Sequence, residues 1–134
     1  MRRTKVLLVD DEVEFASALA ERLHYRNYNA TAVFNANDAV QVARKEFPDV
    51  MVVDLKLPGG SGLEIVEAIR QFDPEVAVIL LSGHGSITSK ELLESGSITD
   101  YAVKPIDIEE LVEKIDRAKQ IHDAQVIKEG KDHV

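Results

Sequence analysis

Short apolar runs alternate with amphipathic stretches along most of the 134 residues, and this alternation limits the fold more strongly than any single motif. Five of the runs have the length and composition expected of β-strands. Three of them are almost continuously apolar, as in a parallel sheet that is covered on both faces. The predicted strands are KVLLVD (5–10), YNATAVF (28–34), VMVVD (50–54), VAVILLS (76–82) and TDYAV (99–103).

The stretches between the strands show helical spacing of apolar residues, for example Ala16, Leu19 and Leu23, and later Leu111, Ile115 and Ala118. The fourth stretch, SITSKELLESG, lacks a continuous apolar stripe, so we expect a weakly packed helix there. Five βα units joined by right-handed crossovers predict an α/β fold: a doubly wound (βα)5 parallel sheet with helices on both faces.

Composition excludes several classes of function. The formal net charge is −8 and the chain has no cysteine. Its one basic cluster, Arg2, Arg3 and Lys5, is too small for an electrostatic nucleic-acid surface, so we expect no direct nucleic-acid binding. Disulfides and Cys-ligated metals are excluded. The sequence has neither a signal peptide nor an apolar run of membrane length, which predicts a cytoplasmic protein without membrane insertion.

Reactive side chains stand where the predicted strands end. Asp10 and Asp11 close the first strand, Asp54 the third and Ser82 the fourth, and Lys104 follows the fifth. Ligands of open α/β sheets bind at the carboxyl ends of the strands. We therefore expect these residues to share one cleft.

Each of these signals is weak when taken singly. An Asp pair after a strand is often a helix N-cap with a solvated neighbour, and Asp54 would suit a turn before Pro58. Together, however, three carboxylates repel one another unless cations join them. Lys104 supplies one positive charge, and Mg²⁺, which takes carboxylate ligands and accepts phosphate oxygens, would supply the rest. The pattern thus predicts a substrate that carries a phosphoryl group.

From residue 4 to about residue 122 the chain resembles the receiver (CheY-like) domains of two-component response regulators. The resemblance rests on motifs in the same chain order as in the family: Asp10-Asp11, Asp54 followed by Pro58 and Gly62, SGHG from Ser82, and Tyr101 through Lys104-Pro105. It implies a flavodoxin-like fold with strand order 2-1-3-4-5.

The same resemblance implies roles for individual residues. Asp54 is expected to be the phosphoacceptor. Asp11, Asp54 and the backbone carbonyl of Lys56 are expected to bind Mg²⁺ directly, and Asp10 to support it through water. Ser82 and Lys104 are expected to contact the phosphoryl oxygens.

Two further expectations concern switching and lifetime. In the family, the residue matching Ser82 turns toward the phosphoryl group and the ring matching Tyr101 packs into the space that is freed, which changes an output face formed by the fourth helix, fifth strand and fifth helix. The positions of Lys56 and His84 tune dephosphorylation there. By itself, His84 is simply a polar residue in a glycine-flanked loop.

The predicted function is therefore that of a response regulator receiver that takes a phosphoryl group from a sensor histidine kinase or a histidine phosphotransfer protein, without being a classical enzyme. We expect residues 1–122 to form the receiver domain and residues 123–134 a polar helix end and tail, with no output domain. Dimerisation on phosphorylation is compatible with this reading. The output partner is a separate protein or an effector domain of a longer transcriptional regulator.

Alternative functions are a binding-only domain of the same fold and a dehalogenase-type phosphohydrolase. The second would carry another Asp two residues after the nucleophile, where this chain has Lys56. A flavin-binding function is less favoured, because DDEVEF and not a hydroxyl-rich loop follows the first strand.

Overall fold

A computed structural model describes residues 2–58, 60–83 and 87–128. The described chain forms one five-stranded parallel sheet and five helices. We label the sheet strands β1 to β5 in chain order: β1 (Lys5–Val9), β2 (Asn29–Val33), β3 (Val50–Asp54), β4 (Ala77–Ser82) and β5 (Asp100–Val103). The helices are α1 (Val13–Tyr25), α2 (Ala36–Glu46), α3 (Gly62–Arg70), α4 (Ile87–Ser95) and α5 (Ile108–Lys128).

The sheet order is β2-β1-β3-β4-β5, and every neighbouring pair is parallel. This confirms the predicted doubly wound fold and its strand order. One element was not predicted: Lys56–Leu57 and Gly60–Ser61 pair as a separate two-stranded antiparallel hairpin. If the hairpin strands are counted along the chain, the last two sheet strands become the sixth and seventh.

Alternate residues of the strands point to opposite faces of the sheet, and each face carries its own apolar core. Val6 and Leu8 of β1 belong to one cluster, which also contains residues of α1 and α5. Leu7 and Val9 belong to the other, which contains residues of α2 and α3. The nearly unbroken apolar sequence of the central strands follows from this two-sided burial.

Local side-chain caps mark the starts of α2 and α5. The side chain of Asn35 accepts a hydrogen bond from the Asp38 N–H before α2. Before α5, the side chain of Asp107 accepts one from the Glu110 N–H at 3.3 Å. Such caps satisfy backbone donors that have no partner within the helix.

In the part whose side chains the structure describes, the fourth helix packs weakly, as its sequence predicts. Among its described side chains, residues 90–95, none is buried, and Leu92 and Leu93 only partly cover the second cluster. Among the described residues, no helix is both long and apolar enough to cross a membrane.

Gly62 fixes the hairpin against the end of β3. A Cβ atom at this position would lie 2.2 Å from the backbone oxygen of Asp54 and 2.7 Å from Cγ1 of Val53. The Gly62 N–H also donates to the Leu55 oxygen at 2.9 Å. The chain can return this closely to Asp54 only because residue 62 has no side chain.

Candidate functional site

The carboxyl edge of the sheet brings together acidic and basic residues from strands that are distant in sequence. Asp10 follows β1, Asp54 is the last residue of β3, Ser82 is the last residue of β4, and Lys104 follows β5. Asp10, Asp54 and Ser82 are buried although they are polar. Parallel pairing places them at one edge because all five strands run in the same direction.

Backbone pairing fixes the relative heights of these residues. Leu81 lies opposite Asp54, so that Ser82 extends one residue further along the edge. Ser82 pairs with Val103, and its carbonyl oxygen accepts the Lys104 N–H at 2.7 Å. The following Lys104–Pro105 peptide bond is cis.

The Lys104 ammonium is the centre of the site. Its Nζ lies 2.8 Å from Oδ2 of Asp10, 3.0 Å from Oε1 of Glu12 and 3.4 Å from Oδ2 of Asp54. Burial alone would lower the pKa of Lys104, but its contacts with Asp10 and Glu12 and the charges of Asp10 and Asp54 raise that pKa above its ordinary value. Lys104 is therefore charged at neutral pH.

The environment of Asp54, unlike that of Lys104, disfavours the charged form of the side chain. Burial is the largest influence and raises the pKa of Asp54, and the neighbouring charge of Asp10 raises it further. Lys104 and the Lys56 N–H, which donates to Oδ1 at 3.2 Å, act against this, yet the net direction remains upward. One ammonium thus does not fully compensate two buried carboxylates.

The two carboxylate oxygens of Asp10 differ in their partners, and one of them lies where the site lacks positive charge. Its Oδ1 accepts the Glu12 N–H at 2.9 Å. Its Oδ2 is fully buried and has no well-aligned hydrogen bond among the described residues, although it ion-pairs with Lys104. Oxygen atoms of Asp10, Glu12 and Asp54 all lie within 4.8 Å of one another. An all-oxygen set of this kind fits a hard divalent cation such as Mg²⁺.

Sequence reasoning found most of this cluster but missed Glu12. Asp11, predicted as a direct ligand, has an exposed side chain and is not one of the three residues whose oxygen atoms come together. Glu12 supplies the third clustered carboxylate, and its backbone N–H is bound to Asp10 where the chain enters α1. The available signal was the third acidic residue in the sequence VDDE.

The other predicted site residues are placed as follows. Lys56 has an exposed side chain, and its backbone N–H rather than its carbonyl is the group in recorded contact with Asp54. Tyr101 is half-buried opposite Leu80 and packs against the second core cluster. His84 lies outside the described residues.

A second group of potential metal ligands occurs at the other end of the sheet. Asp49, His122 and Asp123 have ligand atoms within 4.8 Å of one another, beside a cavity of about 690 Å³. Both Asp49 oxygens, however, already accept hydrogen bonds, one from Arg2 at 3.1 Å and one from the Lys5 N–H at 2.8 Å. We therefore assign no metal to this group.

Comparison with known proteins gives a consistent result. Residues 6–116 match the family model described as the response regulator receiver domain. Sporulation initiation phosphotransferase F of Bacillus subtilis is 32% identical over 112 residues, which are 83% of this chain and 90% of that protein. The response regulator ArlR of Staphylococcus aureus is 35% identical over 112 residues, which are 84% of this chain but only 51% of ArlR.

The fold comparison agrees with the sequence comparison. The receiver domain of the Francisella response regulator 1452 is 27% identical and superposes with a TM-score of 0.78, covering 88% of this chain and 98% of that one. The chain spans about half the length of several curated relatives, among them two transcriptional regulatory proteins of which it covers 46% and 50%.

Proposed function

Because the chain belongs to the response regulator receiver domain family, we propose that it accepts a phosphoryl group on Asp54 and thereby passes on a signal. The observation that carries this proposal is the position of the Lys104 ammonium, 2.8 Å from Asp10 and 3.4 Å from Asp54 at the end of the parallel sheet. This arrangement combines a nucleophile, a fixed cation and a set of oxygen ligands within one cleft.

The chemistry follows from these residues. An Asp54 carboxylate oxygen attacks the phosphorus atom of a phosphohistidine, an O–P bond forms, and the P–N bond breaks with its electron pair left on the imidazole nitrogen. The transition state spreads charge over the equatorial phosphoryl oxygens. Lys104 is close enough to Asp54 to approach these oxygens, and the Ser82 hydroxyl at the neighbouring strand end would donate to another.

The cleft would hold Mg²⁺ through Asp10, Asp11, Asp54 and the Lys56 carbonyl, which would neutralise charge on the transferred group. Because Asp11 is exposed and is not one of the clustered carboxylates, its side chain would turn toward them when the ion binds. The buried Oδ2 of Asp10 supports such a site because it lacks a well-aligned hydrogen bond among the described residues. Water attack on the acyl phosphate later restores the carboxylate and releases inorganic phosphate.

Signal output would follow from Ser82 and Tyr101. Tyr101 is half-buried beside the weakly packed α4, so a change in its position costs little core packing. We expect Ser82 to form a new hydrogen bond with the phosphoryl group. This bond would shift the populations of the conformations of the surface formed by α4, β5 and α5. Dimerisation through this surface is a further part of the proposal.

The proposed partners are a sensor histidine kinase or histidine phosphotransfer protein on the input side. On the output side we propose a separate protein or an effector domain of a longer regulator. This chain covers 90% of the length of one matched relative and about half of the length of others. The receiver unit would comprise residues 1–122, and α5 continues beyond it to Lys128.

Intact-protein mass spectrometry after incubation with acetyl phosphate or phosphoramidate and Mg²⁺ tests the proposal. We expect a gain of one phosphoryl mass in the wild type and in Asp38→Asn, an exposed aspartate at the start of α2. The gain should be absent in Asp54→Asn and in samples containing EDTA. An unlabelled wild type would favour the binding-only domain, and turnover of phosphate monoesters would favour a hydrolase.

A further inference from the structure

Glu12 stands out because it contacts the central cation of the site from the solvent side. Its side chain is 62% exposed, and its Oε1 lies 3.0 Å from Lys104 Nζ. Its backbone N–H is bound to Oδ1 of the buried Asp10 at 2.9 Å. The backbone of Glu12 is therefore fixed, while its carboxylate can move into water.

The Lys104 ammonium lies closer to Asp10 and Glu12 than to Asp54. The ring of Phe15 in α1 lies 4.8 Å from Nζ, within the range of a cation–π contact. Of the three carboxylate contacts of Nζ, the contact with Asp54 is the longest at 3.4 Å, compared with 2.8 Å for Asp10 and 3.0 Å for Glu12. Glu12 and Phe15, at the start of α1, thus both contact the ammonium.

The Lys104 ammonium forms ion pairs with three carboxylates, and it donates hydrogen bonds to Glu12 at 3.0 Å and to Asp54 at 3.4 Å. A phosphoryl oxygen arriving at Asp54 competes with these carboxylates for the ammonium, so one of the contacts must weaken. Asp10 is buried and would lose its counterion, whereas Glu12 is exposed and is readily solvated after release. Glu12 is therefore the contact that breaks at the lowest cost.

We propose that Glu12 is a positioning residue that holds Lys104 back from Asp54 and so limits the rate at which Asp54 is phosphorylated. This inference rests on the proposed function. Glu12 does not touch the transferred group in this scheme; it acts through Lys104. Its removal frees the ammonium for the equatorial oxygens before the donor arrives, so the variant should be phosphorylated faster.

The test compares Glu12→Gln with Glu14→Gln, which removes the same charge from an exposed position on the same helix. Phosphorylation rates are measured by intact mass over a range of acetyl phosphate concentrations, with Mg²⁺ at saturation. We expect Glu12→Gln to raise the rate at saturating donor by about two- to fivefold, the range for an exposed ion pair. Glu14→Gln should leave that rate within experimental error.

The concentration dependence separates positioning from general charge effects. Loss of one negative charge should ease the approach of the anionic donor equally in both variants, and this appears in the donor concentration at half-saturation. An equal rise of the saturating rate in both variants, or no rise in Glu12→Gln, would overturn the inference. A lower phosphorylation rate in Glu12→Gln would show that Glu12 serves the cation site instead, and this result would also overturn the inference.

Lys104→Gln provides a second readout. In a Lys104→Gln background, Glu12→Gln and Glu14→Gln should have the same effect on the phosphorylation rate and on its dependence on donor concentration. The reason is that the ammonium through which Glu12 acts is absent. A persistent specific effect of Glu12→Gln would also contradict the proposal. A wild type that is not phosphorylated at all refutes the proposed function itself, which distinguishes the two failures.

Discussion

The Nζ atom of Lys104 lies 2.8 Å from Oδ2 of Asp10. In the described part of the chain, this ammonium is the only partner of that buried oxygen. The two residues are separated by most of the sequence and meet only because β1 and β5 end at the same edge of the sheet. Removing the lysine would leave Asp10 and Asp54 without their shared counterion.

We therefore expect Lys104→Met to lower the free energy of unfolding by about 1–2 kcal/mol at pH 7 in EDTA. This is less than the loss for a fully buried pair, because the site is partly open to water. Urea denaturation followed by circular dichroism measures the change. Lys119→Met, which removes a pair between Lys119 and the half-exposed Asp123, should cost no more than about 0.5 kcal/mol. Equal effects of the two substitutions would contradict the assigned role of Lys104.

Metal binding is expected to stabilise the fold through the same carboxylates. Mg²⁺ should raise the melting temperature of the wild type, because it binds the folded state and not the unfolded chain. Asp10→Asn and Asp11→Asn should each weaken Mg²⁺ binding, measured by titration calorimetry, by about tenfold or more. Asp107→Asn, at the start of α5, serves as the charge control. Unchanged affinity in Asp11→Asn would assign the direct ligands to the three residues that are already clustered.

Gly62→Ala should disturb the end of β3. The new Cβ atom would lie 2.2 Å from the Asp54 backbone oxygen, so the hairpin or the strand end has to move. Overpacking of this kind costs about 1–3 kcal/mol. The matched control is Gly83→Ala, where a Cβ atom has no described atom within 4 Å. Thermal unfolding compares their stabilities, and phosphorylation of Asp54 should slow only in Gly62→Ala. Similar behaviour of both variants would contradict the close approach.

Tyr28 provides a test of pH dependence away from the site. Burial is the main reason that the pKa of Tyr28 lies well above its ordinary value, and the hydrogen bond from its hydroxyl to Asp116, together with the charge of that carboxylate, adds to the effect. Because the folded-state pKa is the higher one, the resulting stability is complete below about pH 10 and is lost as the pH rises further.

Ultraviolet absorption should accordingly show a late tyrosine ionisation that occurs together with unfolding. Tyr28→Phe should remove this late step, whereas Tyr25→Phe, at a ring that is 77% exposed, should retain it. A late step that survives in Tyr28→Phe would contradict the assignment. Urea titrations above and below pH 10 should also show a steeper loss of stability in the wild type than in Tyr28→Phe.

The amino-acid sequence by itself determined the succession of the five sheet strands and the helices between them. Apolar runs at β3 and β4 require burial on both faces, which permits only a covered parallel sheet, and the same order of strands places Asp54, Ser82 and Lys104 at one edge.

Only the tertiary structure decided which side chains meet at that edge. Periodicity does not distinguish Asp11 from Glu12, since both follow β1; the turn into α1 exposes the first and directs the second to Lys104. The hairpin next to Asp54 likewise depends on the close return of the chain at Gly62. Such contacts depend on loop geometry and on partners distant in sequence, whereas hydrophobic periodicity records only which face of an element is buried.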